Sequence, residues 1–169
     1  MQSYDVVIVG GGIGGLVLGC RLANGKRAVL ILEARPGISP SHRGLTLQPN
    51  GLEALQKLAL LERTLPTGSK IHTVAWYEIN GGLLASLDYS LLDHPQNYLL
   101  TVVPSELEQV LGHEFSLRGG VIHESTSFEG FEVRKDRVQV KTQSYGSTAE
   151  CSAKILVGAD GADSRVRTA

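Results

Sequence analysis

The feature that most constrains the fold is an apolar segment that runs directly into a cluster of glycines. Residues 6–9 read Val-Val-Ile-Val, and residues 10–15 read Gly-Gly-Gly-Ile-Gly-Gly. A short β-branched run of this kind predicts a strand buried on both faces, as in a parallel sheet. Leu16, Cys20 and Ala23 then recur at helical spacing, which predicts a helix with one apolar stripe. The amino-terminal region therefore predicts a βαβ unit in an α/β fold.

The glycines in this turn match a motif that binds dinucleotides. Gly10, Gly12 and Gly15 satisfy the pattern G-x-G-x-x-G. In that motif the first glycine forms the tight turn, the second lets the backbone approach a pyrophosphate, and the third lets the helix pack closely on the strand. Glu33 ends a second apolar strand, at close to the spacing of roughly 20 residues at which a carboxylate binds ribose hydroxyls. A glycine-rich turn without a ligand is the alternative, but the strand, helix and second strand in order favour a dinucleotide site.

Composition excludes several other classes of protein. The chain has 16 Lys and Arg against 17 Asp and Glu, so no overall positive charge favours nucleic acid or an anionic membrane. No segment approaches the roughly 20 apolar residues of a membrane helix. Cys20 and Cys151, like the five histidines, show no spacing typical of a metal site. We therefore predict reduced cysteines, no metal and a cytoplasmic location.

The middle of the chain has a different periodicity from its beginning. A proline-containing loop carries Arg43, and apolar residues then alternate over residues 71–79. Asn80-Gly81 predicts a type I′ hairpin turn before a second strand over residues 83–89. Ser105 and Glu108 have the spacing of a capping box, which predicts the start of a helix there.

The last third of the chain predicts short strands. Residues 121–124, 128–134 and 137–143 indicate an antiparallel meander, a sheet of a different kind from the first. Residues 155–157 predict another buried strand, which runs into the glycine-rich segment 158–167. Ligands bind at the carboxyl ends of parallel strands, so we expect both ends of the chain to meet at one site.

Three separated blocks of this sequence resemble one family, the flavin-dependent aromatic hydroxylases of the para-hydroxybenzoate hydroxylase type. The blocks are the glycine motif with Glu33, the segment from Arg43 to Leu52, and Gly158-Ala159-Asp160-Gly161 with the residues after it. The resemblance implies a Rossmann-like FAD-binding parallel sheet with an inserted antiparallel β portion, as in a truncated two-domain flavoprotein. It implies a FAD-binding βαβ core over 1–70, a partial substrate-domain hairpin over 71–100, and a return helix, meander and Asp-Gly strand over 101–169.

The resemblance also implies roles for individual residues. The glycine turn would surround the FAD pyrophosphate, Glu33 would hold the adenosine ribose, and Asp160 would lie beneath the pyrophosphate. Pro104 stands where the family usually has an arginine that contacts FAD. The implied cofactor-binding residues are Gly10, Gly12, Ile13, Gly14, Gly15, Glu33, Ala34, Arg35, Arg43 and Asp160.

The activity implied by the resemblance is that of an FAD-dependent monooxygenase. Such an enzyme takes electrons from NADH or NADPH and places one oxygen atom of O2 on a small aromatic or similar substrate. The resemblance spans only about the first half of a family member, so we expect the missing carboxyl-terminal half or a second copy as a partner. We expect this chain by itself to bind FAD weakly or not at all and not to hydroxylate.

Three alternatives remain open at this point. The chain could be a catalytically silent FAD- or ADP-binding fragment or a partner-binding half-protein. It could be a nicotinamide-binding dehydrogenase domain without flavin, although the Asp-Gly block argues against this. A related flavin reductase would share both the glycine and the Asp-Gly motifs.

Overall fold

The computed structural model describes residues 2–23, 27–38 and 44–169, and its contacts divide the chain into two compact units. The first unit combines Met1–Pro40 with Glu108–Ala169, and the second is Ser41–Leu107. The functional boundaries at residues 70 and 100 remain a prediction. No helix in the described part of the chain combines the length and apolar character needed to cross a membrane.

In the first unit the described elements begin as strand, helix, strand and end with four successive strands and a short helix. The strands are Gln2–Val9 (β1), Val29–Leu32 (β2), Leu45–Leu47 (β3), Gly68–Ile71 (β4), Thr73–Tyr77 (β5), Leu83–Asp88 (β6), Leu99–Val102 (β7), Val121–His123 (β8), Thr126–Val133 (β9), Val138–Ser144 (β10) and Ser147–Gly158 (β11). The α-helices are Ile13–Ala23 (α1), Pro49–Lys57 (α2), Leu61–Thr64 (α3), Pro104–Leu117 (α4) and Arg165–Thr168 (α5). Single 3₁₀ turns cover Leu65–Thr67 and Tyr89–Leu91.

The first unit contains one six-stranded sheet in the order β8-β2-β1-β11-β10-β9. Strands β8, β2, β1 and β11 are parallel, which confirms the predicted α/β fold. Two expectations about the last third were wrong. Strand β8 pairs in parallel with β2 rather than joining the meander, and β9-β10-β11 is not a separate sheet, because the 12-residue β11 pairs with β1 on one side and β10 on the other.

Both faces of β1 are covered at residues 6–9, as their continuous apolar run predicted, but the predicted burial of residues 155–157 in β11 was wrong, because Ile155 is 56% exposed and the next two residues are only partly buried. Val7 and Val9 belong to a core cluster with Phe128 and Val140 of the meander. Ile8, which alternates with them along the strand, faces α1 instead and is fully buried. The predicted stripe of α1 is also confirmed, because Leu16, Cys20 and Ala23 are all buried.

Helix α4 forms as predicted but does not begin with the predicted capping box. It begins at Pro104, whose fixed φ suits the first helical position, and the Val103 carbonyl accepts hydrogen bonds from the N–H groups of Glu106 and Leu107. Ser105 and Glu108 therefore lie inside the first turns of the helix rather than at its start. Leu107, Leu111 and Phe115 form its buried face, and it ends before Gly119 as predicted.

The second unit holds two small antiparallel sheets. One has the order β3-β7-β4, and the other is the hairpin β5-β6. The hairpin is confirmed, but the type I′ turn is wrong: Glu78 N–H donates to the Gly82 carbonyl at 2.7 Å, and Gly81 N–H donates to the Glu78 carbonyl at 2.9 Å. Gly81 has a φ of +92° whereas Asn80 is not among the described residues with positive φ. The loop therefore has three residues, with a glycine at the bulge position.

A true two-residue turn with positive φ joins β10 to β11 and provides a test of stability. Ser144 pairs with Ser147, and the two residues between them, Tyr145 and Gly146, have φ values of +48° and +79°. Tyr145→Asn is expected to raise the free energy of unfolding by about 1 kcal/mol, because asparagine adopts this conformation at a lower energetic cost than tyrosine does. Thermal denaturation followed by circular dichroism measures the change. The control Tyr145→Val should lower the melting temperature, and an equal or higher value for it would contradict the argument.

Candidate functional site: a nucleotide-binding edge

Three parallel strands end together at the glycine turn. Gly10 N–H donates to the Leu32 carbonyl at 2.8 Å, and Ala159 N–H donates to the Val9 carbonyl at 2.7 Å. Gly10 has a φ of +106°, and a β-carbon on it would lie 2.4 Å from the Ala159 carbonyl oxygen. The turn therefore requires glycine at this position. The carboxyl ends of β1, β2 and β11 thus meet at one edge, which confirms that the two ends of the chain come together.

The two other motif glycines serve different purposes. A β-carbon on Gly15 would lie 2.0 Å from the Gly10 carbonyl oxygen, so α1 packs directly on the turn. At Gly12 the nearest described atom to such a β-carbon is Glu108 Oε1, at 3.8 Å. The backbone of Gly12 thus faces open space beside the first turn of α1, where the helix presents its amino-terminal N–H groups. Free N–H groups beside an open glycine backbone suit a phosphate group.

Glu33 stands one residue beyond β2, and four nitrogen donors surround its carboxylate. Its Oε2 accepts from Gly11 N–H at 2.7 Å and from Arg35 Nη2 at 3.2 Å. Its Oε1 accepts from Arg35 N–H at 2.8 Å and from Arg35 Nε at 3.0 Å. Burial alone would raise the pKa of Glu33, but the hydrogen bonds from Arg35 and Gly11 outweigh it and lower the pKa. Glu33 is therefore ionised at neutral pH.

A second carboxylate lies on the other side of Arg35. Glu108 projects from α4 and brings Oε2 to within 3.5 Å of Arg35 Nη1. Its side chain is 12% exposed, against 38% for Arg35. The hydrogen bonds of Arg35 with Glu33 and the two neighbouring negative charges raise the pKa of this guanidinium above its ordinary value. Arg35 is thus a permanent cation held between two carboxylates.

Asp160 fastens the turn that follows β11. Its Oδ1 accepts from Ser164 Oγ at 2.6 Å, and its Oδ2 accepts from the N–H groups of Arg165 and Val166 at 2.7 and 3.2 Å. Burial would raise the pKa of Asp160, but the hydrogen bonds from Ser164 and these backbone groups lower it. The side chain thus orders the loop into α5.

Most of the predicted site residues surround one cavity of about 710 Å³. This volume is typical of pockets that hold nucleotide-sized ligands. Gly10, Gly12, Glu33, Ala34, Arg35 and Asp160 line it. Ile13, Gly14 and Gly15 belong to α1 and are not among the described residues that line this cavity. Arg43 lies outside the described residues.

The sequence patterns missed several residues that line the cavity. They are Glu108 of α4, Thr126, Ser127, Phe128 and Glu129 of β9, Gln143 of β10, and Arg165. Arg165 Nη1 donates to the Phe128 carbonyl at 3.2 Å and to Glu129 Oε1 at 3.1 Å, which ties α5 to β9. Glu108 could have been found from the sequence, because it follows the buried Leu107 and lies three residues before the buried Leu111. A carboxylate on the apolar face of a helix indicates a partner.

The chemistry of this edge fits the ADP portion of a dinucleotide. An ionised carboxylate suits a pair of ribose hydroxyls, and the open backbone at Gly12 suits a diphosphate. Both groups line the same cavity, and the nearest described atom to a β-carbon at position 12 would be 3.8 Å away, which leaves open space at this backbone.

Comparison with known proteins supports this interpretation. The sequence matches the family described as FAD binding domain over residues 3–169. It is 32% identical to para-nitrophenol 4-monooxygenase of Pseudomonas sp. strain WBC-3 over 99% of this chain and 42% of that protein. It is 34% identical to the uncharacterized aromatic compound monooxygenase YhjG of Bacillus subtilis strain 168, over 99% of this chain and 33% of that protein.

A solved structure shows the same architecture. The crystal structure of p-nitrophenol 4-monooxygenase PnpA from Pseudomonas putida DLL-E4 superposes with a TM-score of 0.93 and 28% identity, covering 99% of this chain and 43% of that one. The chain thus spans less than half the length of the relatives that it matches. Because the family match covers nearly every residue and the glycine turn, Glu33 and Asp160 share one cavity, this chain belongs to the FAD binding domain family.

Proposed function

We propose that this chain is the FAD-binding part of an NADH- or NADPH-dependent monooxygenase that hydroxylates an aromatic or similar small substrate. The observation that carries the proposal is the shared cavity, in which an ionised Glu33, the open backbone of Gly12 and the Asp160 turn lie together. The relatives named above are aromatic-compound monooxygenases, which supports the substrate class. The buried, free thiols of Cys20 and Cys151 support a cytoplasmic location.

Each part of the cavity has a proposed role toward the cofactor. The backbone of residues 10–15, from Gly10 through Gly12, Ile13 and Gly14 to Gly15, would hold the pyrophosphate. Glu33 would accept the two hydroxyls of the adenosine ribose, with Ala34 and Arg35 beside it. Asp160 would order the turn beneath the pyrophosphate, and Arg43 would approach the pyrophosphate or the flavin. When bound, FAD supplies the redox chemistry, and the protein supplies binding and orientation.

The hairpin β5-β6 supports a proposal about partners. Its strands expose Trp76, Leu83 and Leu87 by 50%, 61% and 47%, and a two-stranded hairpin has little stability by itself. We propose that this exposed apolar surface of the hairpin is covered by the carboxyl-terminal part of a family member. Without that part, a second copy of this chain would cover it.

Titration of the purified chain with ADP and with FAD tests the proposed function. Isothermal calorimetry with ADP should detect binding, because Glu33 and Gly12, the residues proposed to bind the ribose and a phosphate, line the same cavity. FAD should bind no more tightly than ADP if the flavin half needs further protein. Failure of ADP to bind would contradict the assignment of the cavity.

An assay under air tests the reaction class. The chain is mixed with FAD, NADH or NADPH and a panel of phenols, and hydroxylated product and hydrogen peroxide are both followed. We expect no hydroxylated product from this chain alone. Where water reaches the flavin, the electrons from NADH or NADPH should reduce O2 to hydrogen peroxide instead of supporting hydroxylation. Stoichiometric product without peroxide would contradict the view that the flavin half needs further protein.

A further inference from the structure

The carboxylate of Glu33 already carries as many hydrogen bonds as it can accept. An ionised carboxylate has about four acceptor positions, two on each oxygen. In this structure Gly11 N–H, Arg35 N–H, Arg35 Nε and Arg35 Nη2 fill them, two on each oxygen. The first two donors belong to the backbone and are held by the turn and by the strand end. The other two belong to one guanidinium, which can rotate about the bonds of its side chain.

This arrangement has a consequence if Glu33 binds the ribose, so the inference rests on the proposed function. Two ribose hydroxyls need two acceptor positions, one on each oxygen if they bind side by side. The guanidinium of Arg35 occupies one position on each oxygen. The ribose can therefore replace it hydrogen bond for hydrogen bond, while both backbone donors stay in place. The Arg35 side chain must move away from Glu33 for this to happen.

A displaced guanidinium needs another acceptor, because a cation in a partly buried position is costly without a partner. Glu108 is already 3.5 Å from Arg35 Nη1, whereas Glu33 contacts the Nε and Nη2 atoms of the same guanidinium. We propose that Glu108 is a positioning residue that receives the guanidinium of Arg35 when the adenosine ribose takes its place on Glu33. Glu108 thereby tunes the affinity of the site without contacting the ribose.

The location of Glu108 suits this role. It projects from the 14-residue helix α4, so its backbone is fixed, and only 9% of the residue is exposed. A carboxylate so placed gains a stronger ion pair when Arg35 moves toward it. When Arg35 moves to Glu108, its positive charge stays next to the cavity, because both residues line it. In the proposed function the phosphates of the ligand bind in the same cavity. A neutral residue at position 108 would leave the guanidinium bound to Glu33, in competition with the ribose.

A double-mutant cycle with ADP as the probe tests the proposal. Glu108→Gln in the 169-residue chain is expected to weaken ADP binding about tenfold, the effect of one charge-assisted hydrogen bond. Arg35→Met removes the guanidinium, so in that background Glu108→Gln should change the dissociation constant by less than about twofold, as for uncoupled sites. The matched control is Glu106→Gln, which removes the same charge from an exposed position of the same helix and should leave ADP binding unchanged.

The ligand provides a second readout that a structural role would not alter. 2′-Deoxy-ADP has one ribose hydroxyl, so one guanidinium donor can stay on Glu33, and the effect of Glu108→Gln should be smaller for it than for ADP. An equal loss of affinity in the wild-type and Arg35→Met backgrounds, or for both ligands, would overturn the proposal and indicate that Glu108 only supports the glycine turn. If Glu33→Ala leaves ADP binding unchanged, the proposed function itself fails. If Glu33→Ala weakens binding but the cycle is additive, only the role of Glu108 fails.

Discussion

Gly12→Val is expected to abolish binding of ADP and FAD while the chain remains folded. Among the described residues, the only atom within 4 Å of a β-carbon at this position is Glu108 Oε1, at 3.8 Å, so the protein itself has room for the first carbon. The methyl groups of valine would instead project into the space that the cofactor pyrophosphate needs. Calorimetric titration measures the loss of binding, and circular dichroism shows that the fold is retained.

Two other glycines serve as controls for this variant. Gly15→Ala should destabilise the fold itself, because its β-carbon would lie 2.0 Å from the Gly10 carbonyl oxygen. Gly112→Ala, on α4, should impair neither ADP binding nor folding. The nearest described atom to a β-carbon at this position, Ile122 Cδ1, would be 4.0 Å away. Gly12→Val with wild-type affinity for ADP would show that the glycine motif is a turn and not a phosphate site.

Glu33→Ala is expected to weaken ADP binding by about 1.5–3 kcal/mol, the usual contribution of hydrogen bonds to a charged group. The Glu33 side chain is 13% exposed and its pKa is lowered, so it is ionised at neutral pH, and two ribose hydroxyls can take the positions that the Arg35 guanidinium fills. The measurement is the dissociation constant of ADP and of FAD for both proteins. Glu33→Gln should lie between wild type and Glu33→Ala, because it keeps one acceptor oxygen but loses the charge.

Glu33 also orders the turn, so its effect on folding has to be separated from its effect on binding. Its Oε2 accepts from Gly11 N–H, and loss of this bond should lower the melting temperature of Glu33→Ala. Glu150→Ala, on the exposed part of β11, is the control for loss of one negative charge. An ADP affinity equal to wild type in Glu33→Ala would refute the ribose assignment whatever happens to the melting temperature.

Much of the fold follows from local patterns that need no knowledge of distant residues. The β-branched run at residues 6–9 predicts a doubly buried strand, and the burial of Val7 and Ile8 on opposite faces confirms it. The spacing of Gly10, Gly12 and Gly15 predicts one turn, one open backbone and one close packing contact. The structure shows all three. The contact of Gly15 with Gly10 is between neighbours in the sequence, whereas the atoms nearest to Gly10 and Gly12 belong to Ala159 and Glu108, which lie far along the chain. The cofactor roles of these residues remain predictions.

The tertiary structure decided the pairings between distant segments. A three-residue strand such as β8 carries no periodic information about its neighbour, and only the fold places it in parallel beside β2. Pairing with another strand also decided the length of β11. The apolar run at residues 155–157 predicts a short strand, whereas β11 has 12 residues. Its first four residues are exposed, and pairing with β10 extends the strand into them.

The candidate site shows the same division between local and distant information. The sequence by itself determined the glycine turn and placed Glu33 at the end of the second strand, because both are properties of one continuous βαβ segment. Only the tertiary structure brought Glu108 to Arg35, since the residues of the second unit separate the two along the chain. The pattern around Glu108 predicted a helix cap because capping depends on neighbours in sequence, whereas an ion pair depends on neighbours in space.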